Sequence, residues 1–308
     1  MSLDHAQQLS IALALEACFG YPDALYRRIR HPVVWIGHVI TALEQTWNTR
    51  NGKGNYTKGM LLLGLVMLIA FGAAWLLEQL ADRTFIIVGL LAATTGLAQR
   101  SLYIHVVAVL NPLLANDLER ARSEVACIVG RDTAILDETG IATAATESLA
   151  ESLCDGVIAP AFWFLVGGLP GLFIYKAVNT ADSLIGHCDQ RYRAFGWAAA
   201  RTDDVMNFVP ARIAGLFLCL ARFRGLGIMW RDAGKHASPN AGWTEAAMAG
   251  VLGIQLGGPV SYDGELAWRA TFGTGPKPRV NDLRDALRVY VTACLLLWLL
   301  VGVIAWLQ

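Results

Sequence analysis

The run Met60-Leu61-Leu62-Leu63-Gly64-Leu65-Val66-Met67-Leu68-Ile69-Ala70-Phe71-Gly72-Ala73-Ala74-Trp75-Leu76-Leu77 is 18 residues without a charge. As a helix rising 1.5 Å per residue it reaches ~27 Å, close to the roughly 30 Å of a bilayer's hydrocarbon core. Val289 to Leu307 repeats the pattern over 19 residues. Thr84 to Ala98, 15 residues after the short Glu78–Arg83 link, reads as the return limb of a helical hairpin. A buried helix of a soluble core is the competing reading, and it has most room in that shorter segment.

Composition agrees with the longer runs. Of 308 residues 55% are hydrophobic and only 16% charged, and mean hydropathy is +0.44. Soluble domains average roughly 45–50% apolar and about 25% charged, so an integral membrane protein is expected. With 25 basic and 25 acidic side chains the net charge is zero, which excludes a broadly basic nucleic-acid binder, an acidic tail protein and a disordered chain.

Two further apolar segments are interrupted. Val157–Tyr175 is uncharged, but Gly167, Gly168, Pro170 and Gly171 break its middle, so a broken or re-entrant pair of half-helices competes with a straight span. Val205–Ala221 contains Pro210 and Arg212, which suits a helix facing a cavity or the interface. Leu9–Phe19 carries Glu16 and lacks a basic n-region and cleavage pattern, so it reads as retained. Arg27, Arg28, Arg30, Arg50, Lys53 and Lys58 precede the first span, and Lys277, Arg279, Arg284 and Arg288 precede the last. The positive-inside rule then places these segments, and the polar stretches 99–156 and 222–288, in the cytoplasm. Cys18, Cys127, Cys154, Cys188, Cys219 and Cys294 show no paired spacing and read as reduced apolar residues. No strand signal stands out. Asn111-Pro112 is expected to open a helix running to about Val129, stopped by Gly130. The expected fold is all-α: one polytopic membrane-embedded domain over 1–308, with spans near 60–77, 84–98 and 289–307 and broken or interfacial segments at 157–175 and 205–221.

Charge gathers in three places. Glu147, Glu151 and Asp155 stand at i, i+4 and i+8, drifting only about 40° per step and forming one acidic stripe on a helix. A solvated helix face and a magnesium or substrate-amine site both fit it. Lys176, Asn179 and Asp182 repeat every three residues, followed by Arg201, Asp203, Asp204, Asn207 and Arg212. Anchoring ion pairs at an interface explain this mixture, and so does a magnesium–phosphate site. Arg231, Asp232, Lys235 and His236 precede Ser238-Pro239-Asn240 and Glu245. A loop with Asn240 as helix cap is the plain reading, and anion binding the functional one. No phosphate-binding glycine loop, dinucleotide fingerprint or nucleophile elbow is present.

In their order these clusters resemble the adenosylcobinamide-phosphate synthase family (CobD/CbiB) of cobalamin biosynthesis. The carriers are His31-Pro32-Val33-Val34-Trp35-Ile36-Gly37, Gly130-Arg131-Asp132, Glu147-Ser148 with Glu151-Ser152, and Asp155-Gly156 with Ala159-Pro160. Gly167-Gly168-Leu169-Pro170-Gly171, Tyr175-Lys176-Ala177-Val178-Asn179-Thr180 with Asp182-Ser183, and Arg201, Asp203-Asp204, Asn207 and Pro210-Ala211-Arg212 continue the match. Arg231-Asp232-Ala233 and His236 with Ser238-Pro239-Asn240-Ala241-Gly242 complete it. Glu16, Gly20, Tyr21 and Pro22 depart from the family's usual Asp-x-x-x-Gly-acidic-Pro, as do the serines at 148 and 152.

The resemblance implies an ATP-dependent ligase joining adenosylcobyric acid to (R)-1-amino-2-propanol or its O-phosphate, in the bacterial inner membrane with its active site on the cytoplasmic side. It implies ATP and Mg2+, no nucleic acid, membrane lipid as surroundings, and a homo-oligomer or association with other late cobalamin enzymes as partners. Under it, Glu147, Glu151 and Asp155 bind metal or orient the ammonium as catalytic groups. Asp182, Asp203 and Asp204 complete the metal shell. Lys176, Arg201 and Arg212 contact phosphates, with Asn179 and Asn207 beside them, and Arg231, His236 and Asn240 hold the amino alcohol phosphate or the nucleotide. A transporter built on the broken 157–175 segment, or a non-catalytic signalling protein like the AmpE membrane proteins, is the alternative.

Overall fold

The computed structural model describes residues 3–49, 54–80, 86–187, 189–262 and 264–308. In chain order its helices are α1 (His5–Phe19), α2 (Asp23–Arg28), α3 (Pro32–Trp47), α4 (Asn55–Leu80), α5 (Ile86–Thr94), α6 (Gln99–Leu114) and α7 (Leu118–Ala126). Then follow α8 (Glu138–Leu153), a π-helical turn (Cys154–Ile158), α9 (Ala159–Ile185), α10 (Trp197–Met206), α11 (Phe208–Arg222), α12 (Leu226–Asp232), a 3-10 turn (Ala233–Lys235) and α13 (Ala241–Leu252). Strands β1 (Leu256–Tyr262) and β2 (Glu265–Phe272) precede α14 (Val280–Leu307). Local chemistry sets several of the starts. Asp4 and Gln7 form a reciprocal capping box on α1, His31 caps α3 with Pro32 in its first turn, and Asp137 caps α8 through the Gly140 N–H at 2.7 Å.

The chain divides into two compact units. One comprises 1–98, 159–207 and 301–308, the other 99–158 and 208–300. In the first, α4 runs along α9, and α3 and α10 pack on the same pair. Leu9, Leu13, Ile40, Leu62, Phe164, Tyr175 and Phe195 are among its fully buried large side chains. In the second, α13 is the central helix, packed against α8, α11 and α12. Its sequence is rich in Ala and Gly, and ten of its residues are buried, so anything polar on it is carried inside.

Among the described residues three helical stretches are long and apolar enough to cross a membrane: 55–79 in α4, the α8-to-α9 run 138–185, and α14. A fourth is added if α10 and α11 count as one broken span. Of the expected return limb 84–98, residues 84 and 85 lie outside the described residues, as do 81–83 of the link, and within the described part α5 covers nine residues. Thr94 and Thr95 hydroxyls donate back to the Leu91 and Ala92 carbonyls at 2.7 Å where the helix ends. Arg50, Lys53 and Cys188 also fall outside the described residues.

Two expectations are corrected. The fold is mostly helical, but β1 and β2 form an antiparallel hairpin with a bulge between Gly257 and Pro259. β1 opens Leu-Gly-Gly-Pro, which gives no strand pattern, and the short alternation in β2 lies on a strand that is largely exposed. Asn111-Pro112 does not open a helix to Val129. It lies inside α6, and a separate α7 starts after Asp117, whose carboxylate accepts from Arg120 N–H at 3.1 Å.

The break expected in 157–175 is present. Gly167 and Gly168 are non-helical inside α9, with Gly168 at φ 59°, ψ −150°, a region essentially reserved for glycine. The freed backbone groups are taken up inside the first unit: Glu78 Oε1 accepts the Leu169 N–H at 3.1 Å, and His5 Nδ1 lies 3.4 Å from the Leu165 carbonyl. A Cβ on Gly168 would stand 2.6 Å from Glu78 Oε1, whereas one on Gly167 would meet nothing within 4 Å. Gly168→Ala is therefore expected to cost about 1–3 kcal/mol, while Gly167→Ala stays within about 0.5 kcal/mol. Thermal melts of the detergent-purified chain check this, and equal midpoints for the two variants would contradict it.

Candidate functional site

The second unit contains a cavity of about 550 Å³ whose wall includes Gly130, Arg131, Glu147, Glu151, Lys235, His236, Trp268 and Arg269. Glu147, 2% exposed on α8, is the anchor. Its Oε2 accepts from Arg131 and, at 3.3 Å, from Arg269 Nη1. Its Oε1 accepts the Gly257 N–H at 2.6 Å. Gly257 sits at φ 79° at the hairpin bulge, and a Cβ there would stand 1.9 Å from the Ala270 carbonyl oxygen. Only glycine lets the bulge turn that N–H toward Glu147.

Arg269 reaches further. Its Nη2 donates to Glu245 Oε1 at 2.9 Å and lies 3.1 Å from His236 Nε2. His236 Nδ1 accepts the Ser238 N–H at 2.9 Å, and Nε2 lies 3.6 Å from Glu245 Oε1. Glu245 is fully buried on α13, and its Oε2 has no hydrogen-bond partner among the described residues. Burial first, then the charge of Glu147, pushes its carboxyl up to about 8, against the pull of Arg269. Burial and Arg269 push the His236 imidazole down.

Two other carboxylates tie the hairpin down. Asp132 accepts from Ser261 Oγ at 2.6 Å and from the Gly264 N–H at 2.9 Å. Buried Asp232 accepts from Arg231, from Lys235 at 2.6 Å and from the Gly273 N–H at 2.8 Å, and these donors hold it well below the usual carboxylate range. A second cavity of about 590 Å³ shares Arg131 and adds Lys277 and Arg279.

The acidic stripe splits: Glu147 is buried and fully engaged by two guanidinium groups and a backbone N–H, where a metal ligand would need a free oxygen. Glu151 is exposed on the cavity wall. Asp155 falls in the π-helical turn, whose extra residue alters the helical register, and it is not among the cavity's lining residues. Arg231 pairs with Asp232, while His236 lines the cavity. Asn240 occupies the α13 cap position without capping. Ser238 Oγ accepts from the Asn240 and Ala241 N–H groups instead, and Asn240 Oδ1 accepts from Arg212 at 2.9 Å. Arg212 also donates to the Phe208 carbonyl at 2.7 Å and lies over the Phe208 and Trp243 rings.

In the first unit, Asp203 accepts from Asn207 at 2.9 Å and Asn179 at 3.3 Å, and Tyr175 donates to Asn207 at 3.0 Å. Arg201 pairs with Asp204 at 3.2 Å. Lys176 lines an apolar cavity of about 300 Å³ between α3, α4, α5 and α9, near enough to His31 to help push its imidazole down after burial. Asp182, Asp203 and Asp204 are not gathered into a shell. Among the described residues no group of three or more His, Cys, Asp or Glu could hold a metal ion.

Arg269 was not singled out from the sequence, and Glu245 only as a neighbour of the loop. The available signal was the alternation of Leu266, Trp268, Ala270 and Phe272 with Glu265, Ala267, Arg269 and Thr271, which marks a strand, although the bulge that sets Arg269 and Ala270 against Gly258 interrupts its faces.

A family model described as CobD/Cbib protein matches residues 9–290. The chain is 45% identical over 311 residues to the cobalamin biosynthesis protein CobD of Rhodobacter capsulatus, covering 98% of each chain. It is 46% identical over 292 residues to the protein of that name from Brucella anthropi, covering 90% of this chain and 88% of the relative. With the one from Rhizobium meliloti it shares 40% over 316 residues, covering 96% and 95%. No solved structure matches.

The state of Glu245 has a consequence for stability. A free glutamate loses its proton near 4.5, whereas the folded one keeps it to about 8. Across that interval the folded chain binds a proton the unfolded chain has lost, so this group's contribution to stability falls as pH rises, then levels off above 8. Glu245→Gln removes the titration. The melting midpoint of the variant minus that of the parent is expected to grow from pH 5 to pH 8. A difference independent of pH would contradict a neutral Glu245.

Proposed function

Because the chain belongs to the CobD/Cbib family, we propose that it is a cobalamin-biosynthesis enzyme: an acid–amine ligase joining adenosylcobyric acid to aminopropanol O-phosphate or the free amino alcohol. The observation that carries the reading is the make-up of the cavity. Arg131 and Arg269 are fixed on one wall by Glu147, and exposed Glu151 stands on the same lining. A substrate bearing both an ammonium and a phosphate matches a cavity offering a carboxylate and a guanidinium pair.

The chemistry assigns the parts. A carboxylate is a poor acyl donor, so ATP first converts the substrate propionate to an acyl phosphate or adenylate. The amine then attacks the acyl carbon, the C–N bond forms, the acyl C–O bond to phosphorus breaks, and phosphate or AMP leaves. The ammonium must lose a proton before attack, and Glu151 takes it. Arg131 and Arg269 hold the phosphate end and fix the amine's approach. Lys176 and Arg201 belong to the first unit and are assigned separately, as contacts for a nucleotide's phosphates. Magnesium, which binds through one or two carboxylates plus substrate phosphates rather than in a protein cage, would enter with ATP at one or two of Asp182, Asp203 and Asp204 and neutralise phosphate charge.

The reading also places the chain in the bacterial inner membrane, with the cavity on the cytoplasmic side. Support comes from the three long apolar helices and from the exposed Leu61, Leu68 and Trp75 on α4 and Leu295 and Leu299 on α14. A transporter would leave the broken α9 open along a path, whereas Glu78 and His5 meet its freed groups.

The test uses the full chain in detergent or nanodiscs with ATP, magnesium, adenosylcobyric acid and the amine, following the amide product by mass. Glu151→Gln is expected to lower the rate about 10²–10⁴-fold, and Asp203→Asn to impair nucleotide-dependent activation. Full activity in both variants overturns the site. ATP consumption that ignores the corrinoid overturns the reaction class.

A further inference from the structure

Three large apolar side chains of the second unit are left almost wholly in water around its two cavities. Trp268 is 84% exposed, Ile135 79% and Leu266 76%. Trp268 lines the cavity that holds Glu151, whereas Ile135 and Leu266 line the larger one. Apolar surface exposed on a concave wall, with polar groups beside it, is the make-up of a ligand site.

The hairpin register makes this surface continuous. Trp268 pairs with Pro259 and Leu266 with Ser261. Side chains directly opposite one another in an antiparallel pair share a face, about 5 Å apart. Leu266 and Trp268, two residues apart and ahead of the bulge, lie on that same face at a spacing of about 7 Å. Pro259 is exposed and lines the larger cavity together with Ile135 and Leu266. The Pro259–Trp268 pair is therefore where an apolar ledge passes from one cavity to the other, and Arg131 lines both.

The polar groups beyond the ledge are of both signs. The larger cavity presents Asp132, Asp137, Lys277 and Arg279, with the hydroxyl of Thr139 and the amide of Gln255 among them. Such a mixture suits a neutral ligand whose polar arms both donate and accept, and carboxamides do both.

We propose that Ile135, Leu266 and Trp268 form the ledge on which the corrinoid substrate lies. Its macrocycle stacks on Trp268, its carboxamide arms enter the larger cavity, and its free propionate points into the cavity that holds Glu151. The proposal rests on reading the chain as the ligase, and it makes Trp268 the residue that selects the large substrate. An adenine ring would cover Trp268 alone and leave Ile135 and Leu266 in water. A bilayer covers convex surface, and these side chains line concave walls. Phe223, 90% exposed between α11 and α12, lines neither cavity.

The test uses the full chain in nanodiscs of phosphatidylcholine and phosphatidylglycerol, dialysed in the dark against adenosylcobyric acid. Bound corrinoid is read from its visible absorbance, so removing a tryptophan does not disturb the readout. Trp268→Ala is expected to weaken binding about tenfold or more, and Trp268→Phe to stay within about threefold of the parent. Ile135→Ala is expected to weaken it severalfold. Both positions are exposed, so thermal midpoints should match the parent's. In steady state Trp268→Ala should raise KM for the corrinoid and leave KM for ATP and for the amine within about twofold.

Corrinoid affinity unchanged in both alanine variants overturns the ledge, and so does a rise in KM for ATP in place of that for the corrinoid. Fluorescence present in the parent, absent from Trp268→Phe and quenched by brominated lipid would put Trp268 in the bilayer instead. An oligomer that Trp268→Ala dissociates would put it against a second copy of the chain, and either result overturns the proposal. A parent that binds no corrinoid overturns the ledge and the ligase reading together. An active ligase whose corrinoid affinity ignores both alanine changes overturns the ledge alone. Trp268-dependent corrinoid binding without amide formation overturns the proposed reaction alone.

Discussion

The carboxylate of Glu147 is buried on α8, and the second unit is arranged to satisfy it. Burying a charge costs several kcal/mol unless partners replace water on every lone pair. Arg131 comes from the loop leading into α8, Arg269 from β2, and the third partner is the Gly257 N–H released by the hairpin bulge. These segments are far apart in the chain, so this one side chain makes the hairpin part of the second unit rather than an appendage. Asp132 and Asp232 repeat the device near the hairpin's turn and at its far end, each accepting a backbone N–H there. A two-stranded hairpin is marginal on its own. Here three carboxylates from three segments supply what a third strand would.

The same arrangement divides labour among the acidic residues. Glu147 is spent on holding two guanidinium groups in place and cannot also act as a base. Glu151, one helical turn on, keeps its exposure to the cavity. Glu245 lies behind the wall, accepts from Arg269 and is close to His236, both of which line the cavity. Carboxylates with similar solution chemistry therefore take three roles, set by burial and by which donors reach them. The first unit shows the complementary pattern. The break in α9 would be intolerable in lipid, but His5 and Glu78 from α1 and α4 meet the groups it frees. That converts a glycine-rich interruption into a fixed bend.

Much of this was legible in residue order. The long apolar runs mark α4 and α14, the glycines at 167 and 168 mark the break, and Asp203 and Asn207, four apart, do bond to one another. The family resemblance rested on ordered short motifs, and the match over residues 9–290 agrees with it. The acidic stripe read as one surface because helical periodicity was carried through Asp155. A π-helical turn is a feature of packing that no local pattern announces, and it alters the register there. Asn240 reads as a cap because asparagine favours caps. Arg212, 28 residues away, claims its oxygen instead.

By itself the sequence determined which segments are apolar enough to leave water, where the chain must bend, and which polar side chains are gathered near one another along it. Those follow from side-chain transfer energies and backbone sterics, which act locally. Tertiary structure alone decided which carboxylate is buried between guanidinium groups and which faces the cavity. Arg269 joins Glu147 to Glu245 across 122 and 24 residues of chain, and the ionisation of a buried acid depends on the summed field and desolvation of neighbours drawn from all of those segments. Periodicity cannot carry that information, because it describes one element at a time.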